Sequence, residues 1–181
     1  MIKYTIRKGK HYCNWAIWYK IIFLWCFKKK FNFEFEISKE AWRPKSSVTY
    51  SGINKVVGWT FFNHAEKPFG KWCLTKWTVN SLIVGFQSDH TKKYKFNIHN
   101  VNDNRGVEDR PYAFSIMAED KISGIISRTK TGMQIIYNVK GSNVPYKFEY
   151  PMNYIPFGYR INPFFGGKDT AYETFTINLK T

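Results

Sequence analysis

Three cysteines, Cys13, Cys26 and Cys73, with no Cys-x-x-Cys spacing, leave no disulfide framework and no thiolate zinc motif. Their default state is a reduced, partly buried thiol, which fits a reducing compartment. Acidic side chains are scarce too: 13 Asp and Glu face 28 Lys and Arg, for a net charge of +15. That exceeds the magnitude of about 2–8 that suits a small soluble domain. Only six of the basic residues are Arg, the side chain that bidentate phosphate or base recognition favours. Long apolar runs are missing as well. Ala16–Phe27 is apolar apart from Lys20, but twelve residues fall short of the roughly 20 that cross a bilayer. Lys28-Lys29-Lys30 follows it instead of a small-residue cleavage site, so neither a membrane span nor a signal peptide is expected. There is no Gly-x-Ser-x-Gly elbow and no glycine-rich phosphate loop, which leaves nucleophilic and nucleotide chemistry without a foothold.

What is present is aromatic and apolar. Aromatics make up 19% of the 181 residues and apolar residues 44%, enough for a core and unlike a disordered chain. The length suits one domain. No stretch of a dozen residues holds a 3.6 period. Period-2 alternation recurs instead, most cleanly where Phe31, Phe33, Phe35 and Ile37 alternate with Asn32, Glu34 and Glu36. Further strands are read at Ile2–Arg7, Trp15–Phe27, Ile53–Phe62, Gly70–Trp77, Ser81–Gln87, Tyr94–Ile98, Tyr112–Met117, Ile122–Ser127, Met133–Val139 and Tyr146–Tyr150. Ser38–Tyr50 reads as a long loop and Asn100–Pro111 as a polar turn region. A closing strand pair spans Tyr159–Leu179, with Pro163 ending its first strand and Gly166-Gly167 turning the chain through a positive φ. These short strands at regular spacing predict an all-β fold, a single antiparallel β-sandwich of jelly-roll type. The division expected is a basic, aromatic segment over 1–30, as strands or an interface arm, and a sandwich over 31–181.

Three pieces carry a resemblance. They are Ile6-Arg-Lys-Gly-Lys-His-Tyr12, then Ile53-Asn-Lys-Val-Val-Gly-Trp59 followed by His64 and Trp72, and Asn162-Pro-Phe-Phe-Gly-Gly167 before the closing strand. In these the chain resembles a loose group of uncharacterised β-sandwich proteins of Bacteroidota and their phages. The resemblance implies a jelly-roll or lectin-like sandwich and a phage origin, and no activity. The group is usually richer in histidine after the second piece, whereas here only His64 remains.

Candidate sites are weighed from the residues. His11, His64, His90 and His99 are scattered without metal-ligand spacing. Glu34 and Glu36 share one strand face, as paired glycosidase carboxylates can, but lie among lysines and read as a solvated face. Asp103–Asp109 has oxygen donors without calcium-loop spacing. No catalytic residue, metal or cofactor is therefore expected. Residues 1–30 carry Lys3, Arg7, Lys8, Lys10, Lys20, Lys28, Lys29 and Lys30 and no carboxylate. Of these, Lys3, Arg7, Lys8, Lys10 and Lys28–Lys30 are the expected polyanion contacts, for nucleic acid or an acidic glycan. A base-composition bias that enriches Lys, Asn, Phe, Tyr and Ile together would give the same charge. Trp15, Trp18, Ile22, Leu24 and Trp25 form an expected interface, because an apolar run on a half-exposed sheet leaves a patch that marks a contact. Trp59 and Trp72 are expected in the core.

The expectation is a non-catalytic binding or assembly protein. Its concrete form is a phage virion or phage-associated structural subunit, located in the virion or host cytoplasm and contacting other protein subunits. The alternatives are a glycan-binding, lectin-like module, a carbohydrate-active enzyme and a basic nucleic-acid-associated protein.

Overall fold

The computed structural model describes residues 1–13, 29–46, 53–61, 80–88, 90–91, 94–102, 105–109, 115–138, 144–151, 158–161, 163–166 and 169–181. Every regular element among them is a strand. In chain order these are β1 (Ile2–Ile6), β2 (Lys30–Ile37), β3 (Ile53–Phe61), β4 (Asn80–Ser88), β5 (Tyr94–Asn102), β6 (Arg105–Asp109), β7 (Ser115–Ile116), β8 (Ile122–Arg128), β9 (Gly132–Asn138), β10 (Tyr146–Pro151), β11 (Gly158–Ile161) and β12 (Phe175–Lys180).

The strands make two antiparallel sheets. The first runs β1-β12-β2-β8-β9-β10, and the second β11-β3-β4-β5-β6, with β7 also pairing β5. The chain changes sheet after β2, after β7, after β10 and after β11. Two antiparallel layers with the chain passing between them make the fold a β-sandwich. β2 shows why the sequence closes it. Phe31, Phe33, Phe35 and Ile37 are buried while Lys30 and Asn32 are exposed, so each buried aromatic removes apolar area from water at about 25 cal/mol per Å². Across the layers Phe31 meets the fully buried Trp59 at 5.6 Å, and Phe96 meets Tyr137 at 4.6 Å.

Two readings change. Asn100–Pro111 is not a polar turn: β5 runs on to Asn102, and β6 pairs back onto it, with Ile98 opposite Asp109. In the second sheet's order β6 stands at the end, and such an edge strand can be charged and lack apolar alternation. Nor do the strands near Tyr159 and Leu179 pair with each other. β11 pairs β3 in one sheet, and β12 lies between β1 and β2 in the other. Residues 2–6 of the basic segment are an edge strand of the sandwich itself. The stretches Trp15–Phe27 and Gly70–Trp77 lie outside the described residues.

One turn is conformationally costly. Glu119 has φ 69°, in the left-handed region, and its N–H donates to Ile37 O at 2.8 Å. A side chain there costs on the order of 1 kcal/mol. Glu119→Gly is therefore expected to raise the urea midpoint slightly, by up to about 1 kcal/mol of stability; a lowered midpoint would show that the Glu119 side chain stabilises the turn.

Candidate functional site

The loop end of the sandwich gathers the ends of β1, β2, β4 and β9 and the starts of β3, β5, β8, β10 and β12. The three sequence pieces quoted above meet there. β11 lies along β3, with Ile161 opposite Gly58. The same register carries past Pro163, so Phe164 sits opposite Lys55. Their backbones exchange two hydrogen bonds, Lys55 N to Phe164 O at 2.8 Å and Phe164 N to Lys55 O at 2.9 Å. Pro163, buried and without an N–H, interrupts this ladder without ending the pairing. On the other side of Phe164 lies Tyr12, and Phe165 N donates to His11 O at 2.8 Å. Gly9 N also donates to Ala171 O, and Ala171 N to Lys10 O.

This small ladder presents two faces. Outward is a cluster of rings and a cation. Tyr12, 48% exposed, tilts against Phe164 at 5.0 Å between centroids. His11 stacks on Phe164 at 5.5 Å and 12°, and Lys55 Nζ lies 5.5 Å from the same ring centre. His11 Nδ1 also stands 3.0 Å from Phe165 O. The β3 strand shifts register between Lys55 and Val57. Such a bulge changes which side a residue presents, and both Val56 and Val57 are buried around it.

Inward is a buried polar plug. Arg43 is fully buried. Its Nη2 donates to Asn54 Oδ1 at 2.9 Å and to Gly166 O, and its Nη1 lies 3.5 Å from Asp169 Oδ2. Its guanidinium covers the Phe165 ring at 4.1 Å. Asn54 accepts from Gly166 N at 3.0 Å and donates to Ser88 Oγ at 3.1 Å. Burial lowers the Arg43 pKa, against which the Asp169 carboxylate and Tyr172 act to raise it. Trp42 stacks on Tyr172 beside this plug at 6.1 Å.

Gly166 is glycine for a reason other than the expected positive φ. The left-handed glycine among the described residues is Gly9, at φ 75°. A Cβ at 166 would instead run into the carbonyl oxygen of Ile53. Gly167 lies outside the described residues.

The basic residues divide. Arg7, Lys8 and Lys10 are exposed at the loop end, and Lys3 is exposed on β1. Lys29 and Lys30 are exposed at the opposite end, a strand of eight residues away, on the order of 25 Å. Lys28, Trp15, Trp18, Ile22, Leu24 and Trp25 lie outside the described residues. Glu34 and Glu36 both face Lys121 Nζ, at 3.8 and 3.7 Å, on the outer side of the first sheet. Among the described residues no three His, Cys, Asp or Glu side chains gather as metal ligands, and Cys13 is buried and in no disulfide. No helix among them is long and apolar enough to cross a membrane.

Sequence reading missed Arg43, Asp169 and the meeting of Tyr12 with Phe164 and Lys55. Arg43 and Asp169 are 126 positions apart, beyond any local spacing rule. Tyr12, Lys55 and Phe164 lie in the three pieces quoted above, but nothing in their spacing along the chain joins them.

No family model matches this chain, and no curated protein matches it. Among solved structures, a xylan β-1,4-xylosidase from Bacillus halodurans C-125 aligns with 85% of the chain, at 9% identity and a TM-score of 0.43. The chain spans 28% of that protein's length, and a likeness at this level says nothing of activity.

Proposed function

We propose that this sandwich acts by binding and assembly rather than by catalysis, and that the loop end is its contact surface. The observation that carries this is the ring cluster of Tyr12, Phe164 and His11 beside Lys55, held on a backbone ladder and braced from behind by Arg43. Rings already held by a backbone ladder lose less freedom when a partner binds, which favours recognition. The paired carboxylates Glu34 and Glu36 are tied to one lysine on an open sheet face, a poor setting for acid–base work. A phage structural subunit is the assembly form of this reading, and a lectin-like module the ligand-binding form; the ring cluster favours the second.

The test compares wild type with Tyr12→Ala in native extract and in assays on plant and bacterial polysaccharides. A ligand or subunit retained in fixed ratio by wild type and lost by the variant is expected, with no new reducing ends released. Turnover of any polysaccharide by the wild type, abolished by Glu34→Gln, would overturn the non-catalytic reading.

A further inference from the structure

Resting on the reading of the loop end as a contact surface, we propose that Tyr12 is the platform for one ring of an acidic sugar, with Lys55 and Lys10 receiving its carboxylate or sulfate. Tyr12 is the most exposed ring of the cluster, at 48%. Phe164 tilts at 59° beside it, a wall rather than a second parallel floor. The Phe164 ring is itself engaged by His11 and Lys55. His11 also meets Tyr12 edge-on at 6.4 Å and 69°. The exposed part of the phenol ring is the surface offered to one ligand ring, and a sugar's C–H face fits it.

The charge around it selects the ligand's sign. Lys55 Nζ lies over Phe164 and donates to Ile53 O at a long 3.5 Å, a contact that an anionic ligand would share or replace; Lys10 stands two residues before Tyr12, and Arg7 and Lys8 are exposed just before that. Asp169, the acid in the neighbouring loop, points to Arg43 and is 14% exposed. Glu173 is exposed in the same loop, so the field is cationic by majority rather than uniformly. Single-stranded nucleic acid would ask for more: successive open rings along a cationic track. Among the described residues Tyr12 is the exposed ring beside these lysines, and one ring with cations near it meets the needs of a uronic or sulfated sugar better.

The ladder makes the platform rigid. Gly9, His11, Lys55 and Ala171 share backbone hydrogen bonds with the segments beside them, so little order has to be gained on binding.

The experiment is calorimetric titration of the full chain with oligogalacturonate, with neutral galacto-oligosaccharide of equal length, and with oligo-dT. Oligogalacturonate is expected to bind at least tenfold more tightly than either. Tyr12→Ala should weaken it tenfold or more with an unchanged melting temperature, and Tyr12→Phe should retain it. Lys55→Gln should weaken it several-fold and flatten its salt dependence. Equal affinity for the neutral oligosaccharide would overturn the acidic-sugar assignment while leaving a glycan-binding surface. Tighter binding of oligo-dT would assign the surface to nucleic acid. Absence of all three interactions would overturn the inference, and the contact-surface reading would then stand or fall on the extract comparison alone.

Discussion

Gly166→Val is expected to destabilise the protein by about 3 kcal/mol or more, the largest single-residue effect foreseen. Position 166 lies opposite Ile53, and any β-carbon there enters the space of the Ile53 carbonyl oxygen. Backbone, unlike a flexible side-chain tip, cannot step aside cheaply. Relief requires moving the Phe164–Gly166 segment off β3, which breaks the Gly166 bonds to Asn54 and Arg43 as well. Buried donors and acceptors would be left unmatched, at roughly 1–3 kcal/mol each. For a chain of this size 1 kcal/mol is worth about 2–4 °C, so the thermal midpoint should fall by about 6 °C or more. Gly166→Ala should follow the same direction less severely. A Val variant melting with wild type would show that the segment does not approach Ile53 this closely.

Arg43→Met comes next. Removing the guanidinium deprives Gly166 O and Asn54 Oδ1 of a donor and Asp169 of its cation. Methionine fills part of the volume over Phe165 but offers no hydrogen bond. A loss of about 3 kcal/mol in urea unfolding is expected. Asp169→Asn should also destabilise, because it leaves a buried guanidinium without its counter-charge. In the double variant the two losses should fall short of additive by about 1 kcal/mol or more, which a double-mutant cycle measures. Strict additivity would mean that the 3.5 Å contact contributes nothing and that Arg43 acts through Asn54 and Gly166 alone.

Fold class was open to reading because alternation is a local signal. Phe31 to Ile37 alternate by burial as they do by residue type, and the closing Phe175, Ile177 and Leu179 are likewise buried. β6 escaped because Arg105–Asp109 has polar residues and only its hydrogen bonds to β5 make it a strand. The partnership of β12 escaped for a different reason. An apolar alternation states which face is buried, not which strand lies alongside, and here the neighbours are β1 and β2 rather than β11. The candidate site was least legible of all. Arg43 sits in a stretch read only as a loop, and its partners come from two other parts of the chain, Asn54 on β3 and Gly166 with Asp169, three residues apart, before β12. Tyr12, Lys55 and Phe164 each belong to a piece singled out in the sequence, but a one-dimensional reading has no means of placing three such pieces side by side.

The position of β12 has a kinetic side. It fills the slot between β1 and β2, with Tyr4 and Ile37 both opposite Ile177. It is therefore synthesised after both strands it separates. Until it arrives, the first sheet has two unpaired inner edges in place of a seam, and closing it requires bringing together residues more than 130 positions apart. Loop closure of that kind slows folding and lengthens the time for which edges are open to association. Refolding is expected to end with this insertion, so that a peptide of the β12 sequence, added in excess early in refolding, would compete for the same slot and trap the chain one strand short.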